Sequence, residues 1–487
     1  MIVKTTAGNV RGRTVREGVH AFLGIPYGGP TSGKNRFRPP TPVKPWSGVL
    51  DEFAFGPSAP QLVAGTPELL RVFGGIPEPS MSEDCLVLNV WTPSTDHSAL
   101  PVMVYLHGGG HVTGSATWPV YDGAAMAERN KVVVSINHRL GILGYLELGH
   151  LLGKDYATSG VNGMLDIVLA LQWVHDNIAA FGGDPGNVTI FGQSGGGSKV
   201  ATLFAMPSAR SLFHKAIVMS GWYSLECKQP EQAKLVTERA FGLLGVVPED
   251  AAKVLTMPVE RLVDASTTMG GIDSGLNPVV DGTFITAQPI AAVRSGVIAA
   301  KPLIVGTTRD EYSMFLPFMM QATRQDAITC LRSVFGDTVN AIIENYKAAR
   351  PNTKLDDILV SVATDGFVRI PAIRLAEAQL AAGGEVFMYR FDWESPLDPS
   401  LRAAHGLDLP FVFDTPDSAY ATGQADTRFA FAKEMCDAWV SFAQDGKPKL
   451  PTGIAWPQYT LTDRATILFN MPSTLAYDPA GTERKAW

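Results

Sequence analysis

Short runs of hydrophobic residues recur along the chain and are separated by longer stretches with a helical pattern. The clearest runs lie at residues 100–106, 132–136, 188–191, 216–219, 303–305 and 386–389. They are rich in valine and isoleucine and do not alternate with polar residues, which is typical of strands covered on both faces, as in a parallel sheet. The pattern therefore predicts several buried parallel strands.

Helical stretches between these runs carry their hydrophobic residues on one face. One such stripe, with spacings of four, three and four residues, consists of Ile167, Leu171, Val174 and Ile178. Another, near the end of the chain, consists of Phe431, Met435, Trp439 and Phe442. We interpret both stripes as core packing and not as cofactor contacts. Strand followed by helix, repeated along the chain, predicts an α/β fold with a mostly parallel sheet flanked by helices.

Three regions interrupt this alternation, at about residues 50–80, 223–300 and 312–375. We expect them to be helical insertions over the sheet that form the rim of a pocket. With no internal repeat and no long linker, residues 1–487 are predicted to form a single catalytic domain.

The composition excludes several classes of protein. Of 487 residues, 46% are hydrophobic and 18% are charged, as in globular proteins. The net charge of −7 gives no electrostatic footprint for nucleic acid. No window approaches the ~18 consecutive apolar residues of a membrane span. Because no secretory signal is visible at the start of the sequence, we expect a cytoplasmic protein.

The four cysteines stand far apart and form neither a CxxC pair nor a metal-ligand spacing. They are Cys85, Cys227, Cys330 and Cys436. We interpret them as reduced thiols and expect no metal or organic cofactor. The sequence leaves open whether the chain is a monomer or a homodimer.

A Gly-Gln-Ser-Gly-Gly sequence at 192–196 carries the strongest chemical signal. It fits Gly-x-Ser-x-Gly, and it follows the β-branched run 188–191 and precedes a helical stretch. In that setting the small neighbours let a serine sit on a sharp, strained turn between strand and helix. The sequence therefore predicts Ser194 as a nucleophile.

A second glycine-rich turn, His-Gly-Gly-Gly at 107–110, directly follows the predicted strand 100–106. Backbone N–H groups of such a turn can bind the negative oxygen that forms during acyl transfer. We expect Gly109 and Gly110 to donate, with the N–H of Gly195 as the third donor. His107 is interpreted as shaping this loop and not as a catalytic base.

A serine nucleophile needs a histidine to accept its proton. In this class of fold the order along the chain is serine, acid, histidine. Only His214 and His405 follow Ser194, and His214 is too close to leave room for another strand and an acid, so the order selects His405. The acid should follow the strand at 303–305, where Asp310 and Glu311 stand together. The residues alone do not separate these two carboxylates.

Taken together, these residues resemble the type-B carboxylesterase and cholinesterase family of α/β-hydrolases, in a bacterial carboxylesterase form. The resemblance runs in order through nearly the whole chain, at residues 24–27, 36–37, 82–89, 107–110, 137–141, 177–178, 181–185, 192–196, 278–282, 310–311 and 405–406. It implies the α/β-hydrolase fold and supports the predicted nucleophile, histidine and oxyanion donors. It also implies that Glu311 is the acid of the triad, with Asp310 in a supporting position.

The resemblance further implies two structural ion pairs, Arg36 with Glu83 and Arg139 with Asp166. The sequence departs from the family pattern at three positions. Cys85 has no upstream cysteine to pair with, and Gln193 stands where many relatives have glutamate. His111 replaces an aromatic residue, from which we expect a more polar pocket wall. Selectivity for choline esters is therefore not predicted.

We hypothesise that the protein is a serine carboxylester hydrolase that cleaves small to medium carboxylic esters through an acyl-enzyme, without a cofactor. Hydrolysis of amides or carbamates by the same triad is an open alternative. A non-catalytic, cholinesterase-like binding protein is disfavoured because all three triad members are present. Pocket walls are expected near 60–80, 265–275 and 312–325, with ordinary core packing an equally good explanation of the apolar residues there. Those residues are Met269, Met314, Phe315, Phe318, Met319 and Met320.

Overall fold

The computed structural model describes residues 1–62, 80–96, 98–221, 225–271, 274–320 and 323–487. Within these ranges the chain forms fourteen strands, numbered here in chain order. They are β1 (Ile2–Lys4), β2 (Asn9–Arg11), β3 (Arg13–Arg16), β4 (Val19–Pro26), β5 (Val49–Asp51), β6 (Val87–Thr92), β7 (Leu100–Leu106), β8 (Val132–Ile136), β9 (Gly183–Gln193), β10 (Lys215–Met219), β11 (Leu303–Thr308), β12 (Val386–Phe391), β13 (Ala465–Phe469) and β14 (Thr474–Tyr477).

The α-helices of the described residues vary in length from one turn to five. They are Ala124–Ala127, Gly141–Tyr145, Gly149–Leu152, Asn162–Asn177, Gly195–Phe204, Pro230–Leu244, Val259–Thr268, Pro289–Arg294, Leu316–Met320, Arg324–Phe335, Thr338–Ala349, Leu355–Thr364, Ile370–Ala381, Leu409–Val412, Thr427–Asp445 and Gly481–Arg484. A π-helical turn, Asp365–Arg369, joins two of them. None of the helices in the described ranges combines the length and hydropathy needed to cross a bilayer.

Eleven strands of the described chain form one sheet in the order β14-β13-β12-β11-β10-β9-β7-β8-β6-β4-β3. Its centre, from β8 to β13, is parallel throughout, and antiparallel pairs lie at both edges. β1, β2 and β5 form a separate small sheet. The predicted α/β architecture is confirmed, and all six predicted strands belong to the parallel centre. β9 begins before the hydrophobic run that predicted it. Most of its first five residues are partly or fully exposed, so they do not show a hydrophobic pattern.

The central strands β7, β8, β10 and β11 are almost entirely buried because helices cover both faces of the sheet. Val102 and Val104 of β7 belong to one buried cluster, together with Ile167 from helix Asn162–Asn177. Met103, which points to the opposite face, belongs to a second cluster with Trp439 from helix Thr427–Asp445. Both predicted helical stripes are therefore core packing.

The three predicted interruptions contribute no strand to the main sheet within their described residues. Residues 63–79, 222–224, 272–273 and 321–322 of these regions lie outside the described part of the chain. Helices between 316 and 364 bury a cluster of their own, which includes Leu331, Ile343 and Leu359. The assignment of the whole chain to a single domain stays a prediction.

The two ion pairs implied by the resemblance are both present. Nη2 of Arg36 lies 2.5 Å from Oε1 of Glu83, and Nη2 of Arg139 lies 2.7 Å from Oδ1 of Asp166. Asp166 is fully buried and also accepts a hydrogen bond from the backbone N–H of Arg139 at 3.0 Å. This pair fixes the loop after β8 to helix Asn162–Asn177, next to the carboxyl edge of the sheet.

Replacing Asp166 with asparagine should destabilise the fold, because it leaves the buried guanidinium of Arg139 without a counter-charge. We expect Asp166→Asn to lower the free energy of unfolding by about 3–5 kcal/mol in urea titrations. Asp176→Asn, an exposed site on the same helix, is the control and should change it by less than about 0.5 kcal/mol. Equal stabilities of the two variants would contradict this prediction.

Candidate active site

Ser194 lies on a strained turn between β9 and helix Gly195–Phe204. Its backbone has φ 60° and ψ −127°, a conformation that residues with a side chain rarely adopt. The N–H of Ser194 donates to the carbonyl of Met219, the last residue of β10, at 2.9 Å. The turn thus holds the serine at the carboxyl edge of the parallel sheet, as Gly-x-Ser-x-Gly predicts.

The glycines around Ser194 are required by the close approach of the loop at 107–110. A Cβ placed on Gly195 would lie 2.1 Å from the carbonyl oxygen of Gly110, and one on Gly196 would lie 2.0 Å from that of Leu106. From the other side, a Cβ on Gly108 would lie 3.3 Å from the Cβ of Ser194. The two glycine-rich turns are therefore packed backbone against backbone.

The glycines predicted to supply oxyanion donors lie in the two turns that pack together at Ser194. Gly109 and Gly110 have φ values of 88° and 62°, which favour glycine. Within the described residues, no hydrogen-bond acceptor takes up their N–H groups. Gly195 is the first residue of its helix, where N–H groups have no acceptor inside the helix. This arrangement can bind an oxyanion, and the dipole of the helix favours negative charge at the same point.

His405 lies between an acid and the nucleophile turn. Its Nδ1 is 2.5 Å from Oε2 of Glu311, and its Nε2 is 3.2 Å from the side-chain nitrogen of Gln193, the residue before Ser194. A neutral imidazole that donates from Nδ1 to the carboxylate leaves the lone pair of Nε2 directed toward the turn. That is the tautomer a general base for Ser194 requires.

Glu311, and not Asp310, is the carboxylate in contact with His405. Glu311 is fully buried just after β11, and its other oxygen accepts the N–H of Thr308 at 2.7 Å. Asp310 instead pairs with Arg309 at 2.8 Å. Its N–H donates to the carbonyl of Ala403 at 3.1 Å, which ties the acid turn to the histidine loop.

A second buried carboxyl, Asp408, lies beside this pair and was not singled out from the sequence. The Tyr389 hydroxyl donates to Oδ2 of Asp408 at 3.0 Å, and Oδ1 has no partner among the described residues. Burial, and then the charge of Glu311, raise the pKa of Asp408 to about 7. Its place three residues after the predicted base was the available signal.

The histidines near the glycine loop are buried and are not candidates for the base. His107 stacks on His138 with ring centroids 4.8 Å apart, and its Nδ1 lies 2.9 Å from the carbonyl of Gly108. His111 is not among the described residues that line the cavity given below, and the expectation of a more polar pocket wall at this position stays a prediction. Its ring is turned into the interior and packs against Tyr145 at 5.0 Å.

A cavity of about 960 Å³ lies next to the histidine loop. Phe315 lines it and also packs edge-to-face on the ring of His405, with centroids 5.6 Å apart. All three interrupted regions contribute lining residues, among them Gln61, Leu62, Leu262, Val263, Tyr312 and Phe367.

Three of the six apolar residues predicted for the pocket wall line this cavity: Met314, Phe315 and Met319. Met269 does not, because it is buried in the main core, and Met320 packs instead on the helical cluster of residues 312–368. The side chain of Phe318 lies outside the described part of the structure.

Comparison with known proteins decides the class. The profile of the Carboxylesterase family matches residues 1–485. The chain belongs to the carboxylesterase family. It is therefore a carboxylic-ester hydrolase with the α/β-hydrolase fold, as the sequence motifs predict.

Characterised relatives cover nearly the whole chain. The para-nitrobenzyl esterase of Bacillus subtilis (strain 168) is 36% identical over 99% of this chain and 98% of its own. The phenmedipham hydrolase of Pseudarthrobacter oxydans is 34% identical over 96% of this chain and 94% of its own. A crystal structure of a Geobacillus stearothermophilus carboxylesterase superimposes with a TM-score of 0.90 at 38% identity, over 100% of this chain and 99% of that one.

The raised pKa of Asp408 predicts a pH-dependent effect of Asp408→Asn in this carboxylesterase. Between about pH 4 and 7 the folded carboxyl keeps a proton that the unfolded chain releases, so wild-type stability falls relative to the variant as pH rises through this window. Asparagine retains an acceptor for Tyr389. We expect similar stabilities near pH 4.5, and at pH 8 a variant more stable by roughly 2–4 kcal/mol in urea titrations. A stability difference that stays constant between these pH values would contradict this prediction.

Proposed function

We propose that Ser194 is the nucleophile, His405 the general base and Glu311 the acid that orients it, in hydrolysis of carboxylic esters through an acyl-enzyme. The observation that carries this proposal is the position of His405. Its Nδ1 is bonded to Glu311 and its Nε2 lies 3.2 Å from Gln193, adjacent to Ser194. Glu311 and Gln193 both contact the imidazole of His405, although they are 94 and 212 positions away from it along the chain.

In the first half of the reaction, Oγ of Ser194 attacks the ester carbonyl while Nε2 of His405 takes its proton. The imidazolium that forms is stabilised by Glu311, and it then gives the proton to the departing alcohol. In the second half, a water molecule attacks the acyl-serine with the same histidine as base, which releases the acid and restores Ser194. An amide would follow the same course, with protonation of the leaving nitrogen.

We assign the oxyanion hole to the N–H groups of Gly109, Gly110 and Gly195. The positive φ values of the first two and the helix start at the third support this assignment. Because these donors are fixed by backbone packing, they need no reorganisation when the carbonyl oxygen becomes negative.

The substrates are proposed to be esters of small to medium size with apolar groups. The cavity of about 960 Å³ is of the size that binds small organic molecules, and hydrophobic side chains line much of it, including Leu140, Ile142, Leu143, Met314 and Phe315. The similarity to a para-nitrobenzyl esterase makes para-nitrobenzyl esters a suitable first series, in which the length of the acyl chain is varied.

We infer a cytoplasmic location and no nucleic-acid partner, and a monomer or homodimer as the working form. Three cysteines of the described chain, Cys85, Cys227 and Cys436, are buried and form no disulfide there. Unpaired thiols are usual in a reducing compartment. The net charge of −7 disfavours binding to phosphate backbones.

Removal of the nucleophile is the direct test of this proposal. Ser194→Ala should reduce the turnover of p-nitrophenyl butyrate to the low residual rate that substrate binding and the oxyanion hole alone provide. Its circular dichroism spectrum should match that of the wild type. Ser198→Ala removes a hydroxyl one turn further along the same helix and should keep turnover near that of the wild type. Near-wild-type turnover by purified Ser194→Ala would end the assignment.

Removal of the acid is the second test. Glu311→Gln should lower kcat by about 10³- to 10⁴-fold, because the histidine loses both its orienting acceptor and the charge that stabilises the imidazolium. The matched control is Asp310→Asn, which breaks the ion pair with Arg309. It should lower the unfolding midpoint, while its kcat should fall much less than that of Glu311→Gln. If Asp310→Asn proves the more damaging to kcat at equal stability, the two carboxylates have been assigned in the wrong order.

A further inference from the structure

A lysine without a counter-charge is buried immediately behind the proposed oxyanion hole. Lys199 lies on helix Gly195–Phe204, five residues after Ser194, and its side chain is 0% exposed. Fully buried lysines are rare because an ammonium loses its hydration, and such residues usually have an ion-pair partner. Within the described residues, no carboxylate forms an ion pair with Lys199, and no neighbouring charge contributes to its pKa.

The hydrogen bond of Lys199 goes to the glycine loop. Its Nζ donates to the backbone carbonyl of His107 at 3.0 Å. His107 is the residue that joins the end of β7 to the glycines at 108–110. A Cβ on Gly196 would lie 3.0 Å from the same carbonyl oxygen, so Lys199 and the start of its helix hold this point of the loop from two directions.

The groups that face Lys199 do not neutralise it. His107, His111 and His138 are all buried, and the pKa of each is lowered well below its ordinary value, by burial first and by Lys199 second. The three imidazoles are therefore neutral. Nε2 of His107 and Nε2 of His138 have no hydrogen-bond partner within the described residues.

We propose that Lys199 is a positioning residue for ester hydrolysis: its buried ammonium, bonded to the carbonyl of His107, holds the loop at 108–110 against the nucleophile helix so that the donors of Gly109 and Gly110 stay directed at the oxyanion. The inference rests on the proposed function, since it assigns Lys199 a role in the oxyanion hole named there.

The energetics favour a role in catalysis over a role in folding. A buried charge without a partner destabilises the folded state, and a hydrophobic side chain of similar volume would fill the space without that cost. In the proposed role, the substrate oxygen that becomes negative in the transition state, held by the donors of this loop, supplies the negative charge that Lys199 lacks in the free enzyme. An interaction that strengthens in the transition state raises kcat, whereas one made equally with bound substrate changes KM.

The ammonium also makes this role sensitive to pH. Burial lowers the pKa of Lys199 to about 7, so its charge is present at pH 6 and lost by pH 9. A neutral amine can still donate to the carbonyl of His107, but the bond is no longer charge-assisted and is weaker. The wild type should therefore lose kcat on the alkaline side, between about pH 7 and 9.

The test compares Lys199→Met and Lys199→Arg with the wild type on p-nitrophenyl butyrate from pH 5.5 to 10. Lys199→Met should lower kcat by about 10- to 100-fold, somewhat less than the loss of a direct oxyanion donor, with KM within about threefold of the wild type. Its profile should lack the alkaline decline. Lys199→Arg, which stays charged at every pH used, should also lack that decline and keep a higher kcat than the methionine variant.

Lys215→Met is the matched control. Lys215 is a buried lysine at the start of β10, and so at the amino ends of the parallel strands, away from Ser194. Its ammonium donates to the side-chain oxygen of Asn187. This variant should keep the kcat and the pH profile of the wild type. Thermal unfolding establishes that each variant is folded, and if Lys199→Met does not fold, the profile of Lys199→Arg decides the question.

Saturating labelling with a fluorophosphonate probe separates the two levels of the argument. Wild-type enzyme that resists the probe contradicts the assignment of Ser194, and this inference with it. Wild-type enzyme that labels fully, alongside a Lys199→Met variant with wild-type kcat or an unchanged alkaline decline, contradicts the role of Lys199 alone. Full labelling of the variant together with the loss of kcat and of the alkaline decline supports that role.

Discussion

The contact between two glycine-rich turns is the constraint on which the site depends. The loop after β7 and the turn after β9 pack so closely that a single added carbon on Gly195 or Gly196 would meet a backbone carbonyl at about 2 Å. This contact is possible because β7 and β9 are parallel neighbours whose carboxyl ends reach the same edge of the sheet. Since backbone and not side chains makes the contact, the proposed oxyanion donors are held close to Ser194, the proposed nucleophile.

The same edge of the sheet brings His405 and Glu311, the proposed base and acid, to the turn at Ser194. β11 ends three residues before Glu311, and the N–H of Asp310 is bonded to the histidine loop at Ala403. The order of the strands therefore places three segments that are distant in sequence close together in space. All three interrupted regions contribute lining residues to the cavity beside His405.

Local sequence predicted what depends on local rules. Uninterrupted hydrophobic runs gave the parallel strands because both faces of the sheet are covered, and Gly-x-Ser-x-Gly gave the turn at Ser194 because only small neighbours fit there. The order of residues along the chain selected His405, but residues alone left Asp310 and Glu311 unresolved. Their separation is tertiary: Arg309 takes up one carboxylate, and the imidazole faces the other.

What the sequence did not predict are contacts between side chains that are distant in sequence and carry no motif. The approach of Gln193 to His405, the buried carboxyl of Asp408 and the packing of Phe315 on the imidazole are examples. The packing of the His111 ring on Tyr145 is another such contact.

The electrostatics around the site follow from burial more than from ion pairing. Asp408 lies beside Glu311 and His405, Lys199 contacts the glycine loop at His107, and burial moves the pKa of both to about 7, from opposite directions. Below this value Lys199 is positively charged and Asp408 is neutral, whereas above it Lys199 is neutral and Asp408 is negatively charged. The field at the turn between His405 and the glycine loop therefore becomes more negative as pH rises through neutrality. Loss of the Lys199 charge disfavours a developing oxyanion at the glycine loop, whereas ionisation of Asp408, which lies beside Glu311 and His405, favours a developing imidazolium.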